Sequence, residues 1–255
     1  MTKLDRPNWP SSTAISERDV APLPPVRLEV RDRADHVVEV RDEQEWPLAR
    51  TSWQQLYLRA DGTLGERPDD RGGTVTFDLQ NQAAAFQYDV FEEDAELTGP
   101  MTLRLQVTVT GTDDPRLFVG IEKRSHGVPV PFNGSYGYGR DRVAQGRLRL
   151  ALREIDPDRS TPHQPEHSFR TLQPVRHDEL IDVAIPLSSS ATLFRAGESL
   201  RLIIAGRHLE PRNPLFGHFP TQVPAQRTGQ SDYPLRHHRP LRAGDPRHSL
   251  TNQSR

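Results

Sequence analysis

Met101-Thr102-Leu103-Arg104-Leu105-Gln106-Val107-Thr108-Val109-Thr110 alternates apolar and polar residues at every step. Successive side chains of a strand point to opposite faces, so this stretch predicts a strand with one packed face and one wet face. Thr112-Asp113-Asp114-Pro115 follows as a turn, and Leu117 to Ile121 returns as the next strand. Further downstream, Leu148, Leu150 and Leu152 alternate with Arg147, Arg149 and Arg153. Ile181, Val183, Ile185 and Leu187 keep the same period, and Leu200, Leu202 and Ile204 repeat it after a turn at Gly197. Upstream lie Val75, Phe77 and Leu79, the run Trp53 to Leu58, and two shorter candidates at Val37 to Val40 and Val26 to Val30. Loops are expected at 61–73, 125–146 and 156–168, where Gly, Asp and Pro concentrate. No amphipathic helix of more than about two turns stands out. Short strands separated by turn signals predict an all-β chain, a sandwich or jelly roll, with a barrel as the open alternative.

Composition agrees with a lean β domain. Leu, Ile, Val and Phe supply 59 of 255 residues, and the formal net charge is -2, so a core is affordable. The 23 prolines argue against a mostly helical chain, because proline removes a backbone donor and is confined to turns, edges and first positions. The absence of cysteine excludes disulfides, thiolate nucleophiles and Cys-based metal sites. No apolar run resembles a signal peptide or a membrane span, which makes the cytoplasm the expected location. Charge is uneven: residues 1–205 carry -7 and residues 206–255 carry +5. A basic tail of this kind is able to meet phosphates, but no nucleic-acid motif accompanies it, so neither a nucleic acid nor a membrane is expected as a partner.

Several segments resemble, in order, the C-terminal domain of the X-Pro dipeptidyl-peptidase and CocE/NonD hydrolase family. Trp46-Pro47-Leu48-Ala49-Arg50, then Leu56-Tyr57-Leu58 and Gly62-Thr63-Leu64, looks like the start of that domain. Glu96-Leu97-Thr98-Gly99-Pro100-Met101-Thr102-Leu103 resembles its strand opener. Gly146-Arg147-Leu148-Arg149-Leu150-Ala151-Leu152-Arg153 resembles its Gly-x-Leu-Arg segment, followed as in the family by a loop from Pro162 to His167. Ile181 to Leu187 and Phe194-Arg195-Ala196-Gly197-Glu198-Ser199-Leu200-Arg201-Leu202 complete the likeness. The resemblance implies a galactose-binding-like jelly-roll sandwich over 25–220. Outside it, 1–24 reads as an aperiodic lead-in, and 221–255, where the chain departs from the family, reads by composition as a disordered Arg/Pro/His-rich tail. It implies an enzyme that cleaves esters or amides, X-Pro dipeptides included, by a Ser-His-Asp mechanism. In the family those catalytic residues lie on an α/β-hydrolase domain upstream, so none is carried over here.

The residues agree. A serine nucleophile of this class sits in Gly-x-Ser-x-Gly on a strained strand-to-helix turn. The nearest text, Gly134-Ser135-Tyr136-Gly137, is one residue short and lacks that setting. His163 and His167 have the four-residue spacing of helical metal ligands, but Pro162 and Pro165 break the helix. His237, His238 and His248 lie in the tail without a predicted scaffold. Glu92-Glu93-Asp94 with Glu96, and Asp113-Asp114, offer carboxylates for acid–base work or calcium, and read better as acidic surface turns. No catalytic residue, metal or cofactor is therefore assigned. The loop Phe132-Asn133-Gly134-Ser135-Tyr136-Gly137-Tyr138-Gly139-Arg140-Asp141 is the one candidate contact site. Its aromatic residues Phe132, Tyr136 and Tyr138, with Arg140, give contact area on an adaptable backbone.

Residues 206–255 hold 7 prolines and 8 residues from Leu, Ile, Val and Phe, too few to predict a final strand. With 31 Arg against 2 Lys in the chain, this segment resembles an out-of-frame reading of GC-rich DNA. The expectation is a truncated or frameshifted product lacking its catalytic domain and its last strand, marginally stable and prone to self-association. The expected partner is an α/β-hydrolase catalytic domain or a second copy. The alternatives are a free-standing carbohydrate- or ligand-binding module, and a subunit complementing a separately encoded hydrolase domain.

Overall fold

The structure is a computed structural model, describing residues 23–69, 72–133, 140–210, 232–237 and 249–254. The chain forms β1 (Val26–Arg33), β2 (His36–Glu43), β3 (Ser52–Leu58), β4 (Leu64–Gly65), β5 (Gly73–Asp78), β6 (Ala83–Gln87), β7 (Ala95–Val107) and β8 (Arg116–Ser125). It continues with β9 (Val128–Val130), β10 (Phe132–Asn133), β11 (Arg140–Asp141), β12 (Ala144–Arg149), β13 (Ile181–Phe194), β14 (Glu198–Ala205), β15 (Asp232–His237) and β16 (Ser249–Ser254). The one helical element among the described residues is a short 3-10 helix, Leu150–Leu152.

Two open sheets face each other. The larger runs β2-β1-β13-β7-β16-β3-β4, with β15 bridging β5 and β7. The smaller runs β12-β8-β14-β6, with β9 beside β8. The alternation seen at Met101–Val109 does what a half-buried strand requires: Met101, Leu103, Leu105 and Val107 are buried, as are Ile181, Val183, Ile185 and Leu187 paired beside them on β13. Opposite them, Leu117, Val119 and Ile121 of β8, Leu148 of β12 and Leu200, Leu202 and Ile204 of β14 close the core. A smaller cluster of Leu28, Val30 and Leu48 packs with Val38, Ala191 and Leu193, holding the β1–β2 hairpin to β13. The all-β sandwich expected from the alternation is the fold observed.

The boundary between the sheets is tight at β12, where Gln145 N–H donates to Ser188 Oγ at 3.0 Å. Gly146 is needed there, because a Cβ would lie 2.5 Å from Pro186 O and 2.6 Å from Leu187 Cδ2.

The segments expected as loops at 61–73 and 125–146 also carry β4 and β9 to β11 with the start of β12, and three further features differ from the sequence reading. The strand expected through Leu152 ends at Arg149. Leu150 N–H donates to Pro115 O and Arg153 N–H to Leu150 O, which turns the chain. Ala83–Gln87, unremarkable in composition, is a strand because β14 offers it a full ladder from Arg201 to Ala205. The third is the expectation of no strand after Ile204. β15 pairs with β5 from Asp232↔Asp78 to His237↔Gly73, and β16 pairs with β3 from Ser249↔Tyr57 to Ser254↔Ser52 and with β7 at Leu250↔Leu103. Composition does not register this, because pairing with β3, β5 and β7 is made by backbone groups whatever the side chain, and even Pro234, which has no N–H to donate, still takes its place opposite Thr76. The rest of the segment expected to be disordered lies outside the described residues.

Candidate functional site

The candidate contact loop grows from the short ribbon of β10 and β11, paired at Phe132↔Asp141 and Asn133↔Arg140. Its base is tied to the β1–β2 turn: Ala34 N–H donates to Pro131 O at 2.9 Å, and Asn133 N–H to Ala34 O at 3.3 Å. Phe132 is buried in the main core and anchors the ribbon. Arg140 takes part through its backbone. Tyr136 and Tyr138, and with them Ser135, lie outside the described residues.

Among the described residues no serine hydroxyl is hydrogen-bonded to a histidine ring. Ser168 Oγ donates instead to Glu154 at 2.5 Å, Ser160 Oγ to Glu166 O at 3.3 Å, and Ser199 Oγ accepts from Gln87. The two spaced histidines serve different ends. His163 stacks on Trp53 with ring centroids 3.8 Å apart and planes 9° from parallel. Its carbonyl accepts from Thr102 Oγ1 at 2.7 Å, and Arg104 donates to Pro162 O at 2.7 Å, which lays the loop over β7. Partial burial, then the nearby Arg104, holds the His163 imidazole below its ordinary pKa. His167 is buried, with Nε2 2.9 Å from Ala184 O. Among the described residues no three His, Asp or Glu side chains gather as metal ligands. His237 contributes backbone to β15, while His238 and His248 are outside the described residues.

Asp94, Glu96 and Asp114 of the acidic runs stand in ion pairs. Glu96 receives a two-pronged arginine contact from Arg41 of β2, at 2.9 and 2.5 Å, and Thr98 Oγ1 donates to it at 2.7 Å. Asp94 accepts from Arg195 at 2.8 Å and from Ala196 N–H at 2.9 Å. Asp114 meets Arg149 at 2.5 Å and Arg116 at 3.2 Å. Carboxylates committed to arginines in this way are structural clamps.

The most buried charge was not singled out by the sequence reading. Lys123, 1% exposed, donates to Asp32 O and Leu193 O at 2.7 Å each and meets Glu198 at 2.7 Å. All three ammonium hydrogens are thus used, and the group lies 5.5 Å from the Phe194 ring centroid. It joins β8 and β14 of the small sheet to β1 and β13 of the large one. The signal was present: Lys123 continues the inward parity of Leu117, Val119 and Ile121 in a chain with 2 lysines.

Two open sheets packed face to face define the class: an all-β sandwich domain. Residues 18–247 match the model of the X-Pro dipeptidyl-peptidase C-terminal non-catalytic domain, and the chain belongs to that family. A CocE/NonD family hydrolase from Staphylococcus aureus superposes with a TM-score of 0.78 at 30% identity over 91% of this chain. This chain covers 41% of that protein. An aminopeptidase from a marine sediment archaeon, Thaumarchaeota archaeon, has TM-score 0.58 at 14% identity, over 85% of this chain and 39% of its own. An α-amino acid ester hydrolase has TM-score 0.59 at 16% identity with the same coverage. These two share the fold. A search of curated protein sequences finds no match. No helix among the described residues is long and apolar enough to cross a membrane.

Proposed function

We propose that this chain is the accessory domain of an ester- or X-Pro-peptide-cleaving serine hydrolase, docked on a separate α/β-hydrolase domain and inactive by itself. The observation that carries this reading is the match of residues 18–247 to a domain defined as non-catalytic. The absence of Gly-x-Ser-x-Gly from the sequence supports it, since a serine without that turn has neither exposure nor an oxyanion hole. The two-sheet sandwich is read as a galactose-binding-like jelly roll. The loop carrying Tyr136, Tyr138 and Arg140, rooted by buried Phe132, is placed against the catalytic domain or the rim of its active site. The cytoplasm is the compartment this reading gives, and cell fractionation checks it.

The alternative, a sugar-binding module, needs an open aromatic platform, and its candidate rings, Tyr136 and Tyr138, lie outside the described residues. The test of the main reading is hydrolysis of a chromogenic short acyl ester and an X-Pro anilide by the purified chain. The expected result is no turnover above buffer. Turnover that scales with protein through a final purification step would overturn the inactivity.

A further inference from the structure

Between β12 and β13 the chain folds back on itself. Asp156 N–H donates to Glu166 O at 2.8 Å, Ser168 N–H to Glu154 O at 3.0 Å and Gln173 N–H to Ala151 O at 2.7 Å. Ile155 is bridged opposite His167, and the His167 ring lies 5.7 Å from that of Phe169. His167 pins this ribbon to Ala184 O of β13. Four of the nine large apolar side chains exposed among the described residues fall between 155 and 180: Ile155, Phe169, Leu172 and Leu180.

Phe169 is the telling member. Its φ is +53°, a left-handed conformation that bulky L-residues rarely adopt, and its ring is 65% exposed. Backbone strain and apolar exposure both cost free energy, and among the described residues the only ring against Phe169 is that of His167, with centroids 5.7 Å apart. Arg170 and Arg176 stand exposed on the same segment with no carboxylate in ion-pair range among the described residues. An apolar centre with an arginine rim is the composition of a protein–protein contact. The Staphylococcus aureus hydrolase supplies the occupant, since more than half of its length lies outside the region this chain covers.

We propose that the Ile155–Phe169–Leu172 face packs on the catalytic domain of the hydrolase, with Phe169 as its anchor and Arg170 and Arg176 meeting carboxylates of that domain. The inference rests on the accessory-domain reading above and adds the face to it. Superposition on the Staphylococcus aureus crystal structure tests it first. The positions matching Ile155, Phe169 and Leu172 are expected to touch the part of that protein this chain lacks. If another face is covered and these positions face solvent, the inference falls and the docking reading stands; if no face is covered, both fall. In solution, Phe169→Asp in this chain is expected to leave its melting temperature unchanged. Aspartate at the superposing position of the full-length Staphylococcus aureus hydrolase is expected to split one calorimetric unfolding transition into two. A lowered melting temperature in this chain would make Phe169 structural and overturn the inference, as would a single transition retained in the full-length variant.

Discussion

Single residues hold the two sheets in register by charge as well as by packing. Lys123 is the sharpest case, because a buried ammonium is tolerated only with every hydrogen donated. Lys123→Met removes all three bonds at once, leaving the Asp32 and Leu193 carbonyls without the ammonium and Glu198 with the Arg195 N–H at 2.7 Å but no cation in its place. The expected loss is about 3–5 kcal/mol, the range for breaking a buried pair, read by urea denaturation. A loss under about 1 kcal/mol would show that water replaces the lysine. His163 gives a pH-dependent signal. Its folded pKa is lowered by burial and Arg104, so the unfolded chain binds the proton more readily. The stability it contributes is present above the ordinary value of 6.5 and is lost as pH falls through the lower folded value. Because the imidazole stacks on Trp53, protonation is expected to quench tryptophan emission with a midpoint below 6.5, and His163→Gln is expected to abolish that step.

Elements whose character is set locally were legible in the sequence. β7 from Met101, β8 at Leu117, Val119 and Ile121, β13 at Ile181, Val183, Ile185 and Leu187, and β14 at Leu200, Leu202 and Ile204 carry an apolar period of two, and those residues are buried. What the sequence concealed is set by partners far along the chain. Ala83–Gln87 has little β character and becomes a strand because β14 pairs with it. The polar β16 is a strand because it lies between β3 and β7. The site was less legible than the fold. Phe132 reads as a contact aromatic and is a core anchor, whereas Phe169 gave no signal because its left-handed backbone cannot be seen in residue type. At the junction of elements, Gly146→Ala would drive a Cβ into Pro186 O and push β12 off β13. The expected cost is about 1–3 kcal/mol, the range for overpacking, measured as a lower midpoint in denaturant with little change in slope. An unchanged midpoint would mean that β13 yields at no cost.

At the scale of the whole molecule, the chain is a two-sheet sandwich of the X-Pro dipeptidyl-peptidase C-terminal domain family, and the accessory role proposed for it is a claim about all of its serines together. Asp94 and Asp114 are held by arginines, Ser168, Ser160 and Ser199 pair with Glu154, Glu166 O and Gln87, and the matched family is a non-catalytic domain. The fold recurs at low identity in an archaeal aminopeptidase and an α-amino acid ester hydrolase. Fold alone does not choose a substrate. The central claim is that no serine of this chain is activated. The measurement that tests it most directly is intact-mass analysis of the purified full chain after incubation with a fluorophosphonate, which reacts with activated serine hydroxyls. The account predicts an unmodified mass, identical to that of a heat-denatured control. A single stoichiometric adduct that heat denaturation abolishes would contradict it, and the labelled serine would mark a catalytic site.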